Sequence, residues 1–97
     1  TMTPTAEKLQ EFESKFLHTL SHKKFMGLTE FIKMFLLHFG EFPKESPTDY
    51  VDRMVLEGKM QKMRFVHKNE GGHYSLLIDR NTAIVDHQIK SITKILR

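Results

Sequence analysis

The sequence predicts a mostly helical α+β domain, and three observations carry that expectation. Apolar residues recur at the 3.6-residue helical period through three stretches between Thr3 and Gly58. Beyond Gly58 the period changes to 2, in two runs separated by the turn signal Asn69-Glu70-Gly71-Gly72. A helical period returns after Asp79 and continues to Arg97. A chain of 97 residues is the size of one compact unit. A single domain over 3–97 is therefore expected, with a core at 5–79 and an added C-terminal helix at 81–97.

The first helix starts at Thr3 as N-cap, with Pro4 in the first helical position, where its missing N–H costs nothing. Leu9, Phe12, Phe16, Leu17 and Leu20 form one face of it, and Ser21-His22-Lys23-Lys24 breaks the pattern. Phe25-Met26 reads as a short extended piece closed by Gly27. The second helix runs from about Leu28 to Phe39, with Leu28, Phe31, Ile32, Phe35, Leu36 and Phe39 as its buried stripe and Gly40 as its terminator. Glu41 to Glu45 connects. Ser46-Pro47-Thr48-Asp49 follows the capping-box pattern and opens a third helix, which turns Tyr50, Val51, Met54 and Val55 inward and stops at Gly58.

For the hairpin a register follows from the turn. If residues 69 and 72 pair, Phe65 meets Leu76, Met63 meets Ile78 and His67 meets Tyr74 on an apolar face. Lys62, Arg64, Val66 and Lys68, with His73 and Leu77, then share an outer face that is largely basic. The methionines at 34, 54, 60 and 63 fall at core spacing. In the last stretch Val85, Ile89, Ile92 and Leu96 make an apolar stripe capped by Asp79 or Asn81. That stripe can pair with a second copy to form a homodimer, fold back on the chain's own core, or fill a partner's groove. Val66 and Leu77 are expected to lie exposed unless something covers them.

Helix, short strand, two helices and a hairpin with a glycine-rich tip, carried by Lys24-Phe25-Met26-Gly27-Leu28, the capped start at Ser46 and the hairpin at 59–79, resembles the winged-helix superfamily. The added helix is similar to that of dimeric winged-helix regulators. It is similar also to that of extended LOTUS domains, where it helps to bind a DEAD-box helicase. Phe39-Gly40-Glu41-Phe42-Pro43 is similar to the LOTUS connector, although the Gly-Phe-Pro element before the third helix is absent. The resemblance implies a regulatory or genome-maintenance module that binds nucleic acid, DNA ahead of RNA, or a protein partner.

Charge is unevenly placed. Residues 41–58 hold five acids (Glu41, Glu45, Asp49, Asp52, Glu57) against two bases (Lys44, Arg53), a net of −3. Residues 59–68 hold Lys59, Lys62, Arg64 and Lys68 with no acid, a net of +4. An acidic third helix would meet repulsion between phosphates, so the hairpin is the expected nucleic-acid surface. Its candidate contacts are Lys59, Lys62, Arg64, Lys68 and His73, with Arg53, Lys23 and Lys24 in support. The competing expectation is a protein-binding module that uses the acidic third helix or the apolar fourth.

Other chemistry finds little footing. The chain has no Cys, which excludes a disulfide scaffold, thiolate ligands and a cysteine nucleophile, and fits a reducing compartment. His18 and His22 stand at i, i+4 spacing, but His22 is expected past the helix end with no third ligand beside it. His67 and His73 fall on opposite hairpin faces, and His38 and His87 read as surface residues. No nucleophile elbow and no phosphate-binding glycine loop occurs. The expectation is no catalytic residue, no metal, no cofactor and no enzyme activity. The longest apolar run, Met34 to Leu37, is far short of the roughly 20 residues that span a membrane. No charged-then-apolar leader is read, so an intracellular setting, cytoplasm or nucleus, is expected.

Overall fold

The computed structural model describes residues 4–40, 44–66 and 73–83. In chain order the elements are α1 (Pro4–Lys23), β1 (Phe25–Gly27), α2 (Leu28–Phe39), α3 (Pro47–Leu56), β2 (Met60–Val66) and β3 (His73–Asp79). The three strands form one antiparallel sheet in the order β1-β3-β2. This mostly helical α+β arrangement is compatible with a winged-helix architecture and is not specific to it. No described helix is long and apolar enough to cross a membrane. His67, Lys68, the turn at 69–72 and the C-terminal stripe Val85, Ile89, Ile92 and Leu96 lie outside the described residues.

Local chemistry explains most boundaries. Helix α1 runs through Ser21, His22 and Lys23, three residues further than the apolar stripe indicates. Backbone hydrogen bonding continues without apolar support there. Ser21 Oγ donates to His18 O at 2.7 Å and Lys24 N to Leu20 O at 2.8 Å. Lys24, at φ 74°, then turns the chain out of the helix in a left-handed conformation. Ser46 caps α3 as its sequence indicates: Ser46 Oγ accepts from Asp49 N at 3.1 Å, and Pro47 fills the first helical position. Gly58, at φ 73°, supplies the positive φ that lets the chain leave α3 for β2.

The core is aromatic. Phe12, Phe16, Leu20, Phe31, Phe35, Tyr50, Val51 and Met54 bring the three helices together, and Met26, Met60 and Leu77 of the sheet close against them. Met54 and Met60 are core, as their spacing indicates, while Met34 and Met63 are half-buried. Leu36, expected in the buried stripe of α2, is instead exposed, while Phe31 and Phe35 are buried and Leu28, Ile32 and Phe39 pack beside them.

The sheet departs from the expected register by two residues. Met63 pairs with Leu76, Phe65 with Tyr74, Lys62 with Leu77 and Arg64 with Ser75. A two-residue slip keeps every side chain on its face. The assignment of the faces is what changes. The face of Leu77, Met60 and Lys62 is the one that packs on the helices, and Leu77 is fully buried (0%) instead of exposed. On the other face Leu76 and Ile78 are also buried and pack with Phe25, Met63 and Phe65. The central strand β3 thus carries apolar side chains to both faces.

One core residue makes an unusual demand. Tyr50 is buried and stacks on Phe31 at 5.8 Å, yet its Oη has no hydrogen-bond partner among the described residues. Burial, reinforced by Glu13, pushes its ionisation above the ordinary tyrosine range, against the opposing pull of Arg53. An unfolded chain therefore releases this proton near pH 10 while the folded chain keeps it. Stability must then fall as pH rises past about 10, by up to about 1.4 kcal/mol per pH unit. Tyr50→Phe removes the orphan hydroxyl and this slope together. The expected result is a variant no less stable at pH 7, by about 1 kcal/mol in its favour, whose advantage widens in urea titrations above pH 10. An advantage that stays constant with pH would contradict this account.

Candidate functional site

The two charge runs that the sequence presents as separate surfaces meet in space. Arg53 on α3 donates from Nε and Nη2 to both oxygens of Glu45, at 3.0 and 2.9 Å, and from Nη1 to Glu57 at 3.3 Å. This fork-shaped pairing holds the guanidinium charged well above its ordinary range. Lys59 reaches across to Glu13 of α1 and back to Glu57 Oε2 at 3.0 Å. The Glu13 hydrogen bond first, then Glu57, raises the Lys59 ammonium above its usual value. The Lys59 hydrogen bond in turn draws the Glu57 carboxyl below the ordinary range. Lys62 lies on the helix-packed face of the sheet and leans toward Asp52 of α3 at 3.5 Å. Lys23 pairs with Glu30 at 2.8 Å.

Of the eight residues expected to touch nucleic acid, Arg53, Lys59, Lys62 and Lys23 therefore have carboxylate partners within the chain. Arg64 and Lys24 are exposed with no ion-pair partner among the described residues. Lys68 lies outside the described residues, and His73 starts β3 with its side chain outside them. Lys62 and Arg64 do share a strand face, but it is the face turned to the helices and not an outer one. The pairings of Lys23 with Glu30, Arg53 with Glu45, Lys62 with Asp52 and Lys59 with Glu13 were hidden in the sequence because the partners stand 7, 8, 10 and 46 residues apart.

His18 and His22 fall on one helix face after all, since α1 continues past Ser21, and their rings lie 4.4 Å apart. No group of three or more possible metal ligands forms among the described residues. A polar cleft of about 410 Å³ lies beside them, lined by Glu13, His18, Lys59, Asp79 and Arg80 among others. Glu13, Lys59 and Asp79 are already committed. Lys59 holds Glu13, and Asp79 Oδ2 accepts from Asn81 N at 3.3 Å and Thr82 Oγ1 at 3.2 Å in the turn after β3.

The feature that sequence reasoning missed is a groove between α1 and α2 of about 510 Å³. Phe12 and Met34 lie against its apolar part, Leu37 stands 87% exposed along it, and Lys15, Glu30, Lys33 and His38 complete the lining. Leu36 and Leu37 side by side in α2 were the available signal. A stripe that claims Leu36 for the core has no place for Leu37, and neither residue is inside. His38, expected at the surface, is half-buried. Its ring lies 5.3 Å from Phe12 and 4.8 Å from Phe39, and its Nε2 is buried without a hydrogen-bond partner among the described residues. Comparison with protein-family models, with curated proteins and with solved structures gives no match, so the chemistry of these surfaces carries the functional reading.

Proposed function

We propose that this chain is a non-catalytic docking module that receives a helical segment of a protein partner in the groove between α1 and α2. The observation that supports the reading is the exposed Leu37 beside an apolar groove of about 510 Å³, a size typical of specific recognition sites. Helix-in-groove docking uses apolar anchors at i, i+3 or i+4, and i+7. Selection from a displayed library of random peptides, about four helical turns long, tests it. Enriched binders should carry apolar residues at that spacing and should lose binding to Leu37→Glu, a substitution at an exposed position that leaves the helical circular dichroism unchanged. Enrichment of no binder, or of binders indifferent to Leu37→Glu, would remove this reading.

A second reading is nucleic-acid contact through the hairpin, and one observation favours it: Arg64 and Lys24 are exposed cations without partners in the described residues. Two phosphate contacts correspond to a log–log salt slope of about −2. Loss of duplex DNA binding at low salt in Lys62→Glu with Arg64→Glu, with Leu37→Glu unaffected, would favour the hairpin over the groove.

A further inference from the structure

The polar groups around the groove have a direction. Of the charged side chains that line it, Glu30 is the one carboxylate, and Lys23 already holds it at 2.8 Å. What remains uncommitted along it is cationic. Lys33 has no ion-pair partner among the described residues. Lys15 has only the exposed i, i+4 pair with Glu11 at 3.2 Å, a kind of contact worth little and easily exchanged. An occupant that carries carboxylates would meet these groups, and one that carries ammonium groups would meet Lys15 and Lys33 as like charges.

The geometry sets the length of that occupant. From Glu30 to His38 the lining residues of α2 lie eight steps apart along the helix, about 12 Å at 1.5 Å per residue. That is a little over two helical turns, enough for anchors at i, i+4 and i+7. The chain's own C-terminal stretch has the opposite character. Residues 84–97 contain one acid, Asp86, against Lys90, Lys94 and Arg97. Neither this segment nor the same segment of a second copy supplies the charge that the groove lacks.

We infer that the groove is built for an acidic amphipathic helix, two to three turns long, whose apolar face covers Leu37 and Met34 while its carboxylates meet Lys15 and Lys33. The inference rests on the docking reading above and adds the chemistry of the partner to it. Two synthetic peptides of about 14 residues test it, each with leucines at i, i+4 and i+7, one with glutamate and the other with lysine at the flanking positions. Fluorescence anisotropy should show the glutamate peptide binding about tenfold more tightly at low salt, with the gap closing as salt rises. Lys15→Glu with Lys33→Glu should reverse the preference, and Leu37→Glu should abolish binding of both. Equal affinity for the two peptides, with Leu37→Glu still abolishing it, would overturn the acidic partner and leave the docking groove standing. Preference for the lysine peptide would also overturn it. Failure of both peptides to bind would overturn inference and docking reading together.

Discussion

Phe12→Ala is expected to remove about 4 kcal/mol of stability, against roughly 5–15 kcal/mol for a domain of this size. Phe12 is 1% exposed and its ring lies within 6 Å of six others: Phe16, Phe31, Phe35, His38, Phe39 and Tyr50, at 5.2 to 5.9 Å between centroids. Truncation leaves a void bordered by rings. Rings are rigid and do not collapse into a void as methionines would, so the upper part of the range for Phe→Ala applies. Edge-to-face and stacked pairs add about 0.5–1.5 kcal/mol beyond area burial, which Phe12→Leu isolates by keeping most of the volume. Urea unfolding followed by circular dichroism should show the alanine midpoint lowered by more than about 1 M, with leucine between it and the wild type. An alanine variant within about 1 kcal/mol of wild type would mean that Phe12 does not hold the three helices together.

That hub was largely visible in the sequence. Phe12, Phe16, Phe31, Phe35 and Tyr50 fall on the expected faces of α1, α2 and α3, because a 3.6-residue repeat of large apolar side chains leaves a helix no other way to bury them. The cap at Ser46 and the turn at Gly58 were equally legible, since each depends on a few neighbouring residues. The groove and the ion pairs were not. Arg53 to Glu45 or Lys59 to Glu13 depends on which elements become neighbours, and segment charge has no means of telling a free cation from one held by a carboxylate. The net of +4 over residues 59–68 overstated the basic surface for that reason. Half of the residues expected to meet phosphate pair with acids of the same chain.

Leu77 is where alternation misled, and it carries the second large prediction. Period 2 says that a strand has two faces but not which one meets the core. With Lys62 and Arg64 on the same face, the sequence places Leu77 outward. The structure puts it at 0% exposure among the helices, in register with Met26 on one side and Lys62 on the other. Lys62 can occupy an inward-facing row because it lies at the margin of the helical layer and reaches Asp52. A sequence signal for this existed: Leu76-Leu77-Ile78 is an uninterrupted apolar run, the mark of a strand covered on both sides. Leu77→Ala should therefore cost about 3 kcal/mol, and Leu77→Lys, which buries a charge with no partner, should not fold. Leu56→Ala and Leu56→Lys are the matched comparison. Leu56 is 88% exposed at the end of α3, and both changes there should stay within about 0.5 kcal/mol of wild type. Urea midpoints for the two alanine variants decide the matter. Equal midpoints would return Leu77 to an outer face and leave β3 without its place in the core, whereas a gap of more than about 1 M fixes the orientation of the sheet on which the position of Arg64 and Lys62 depends.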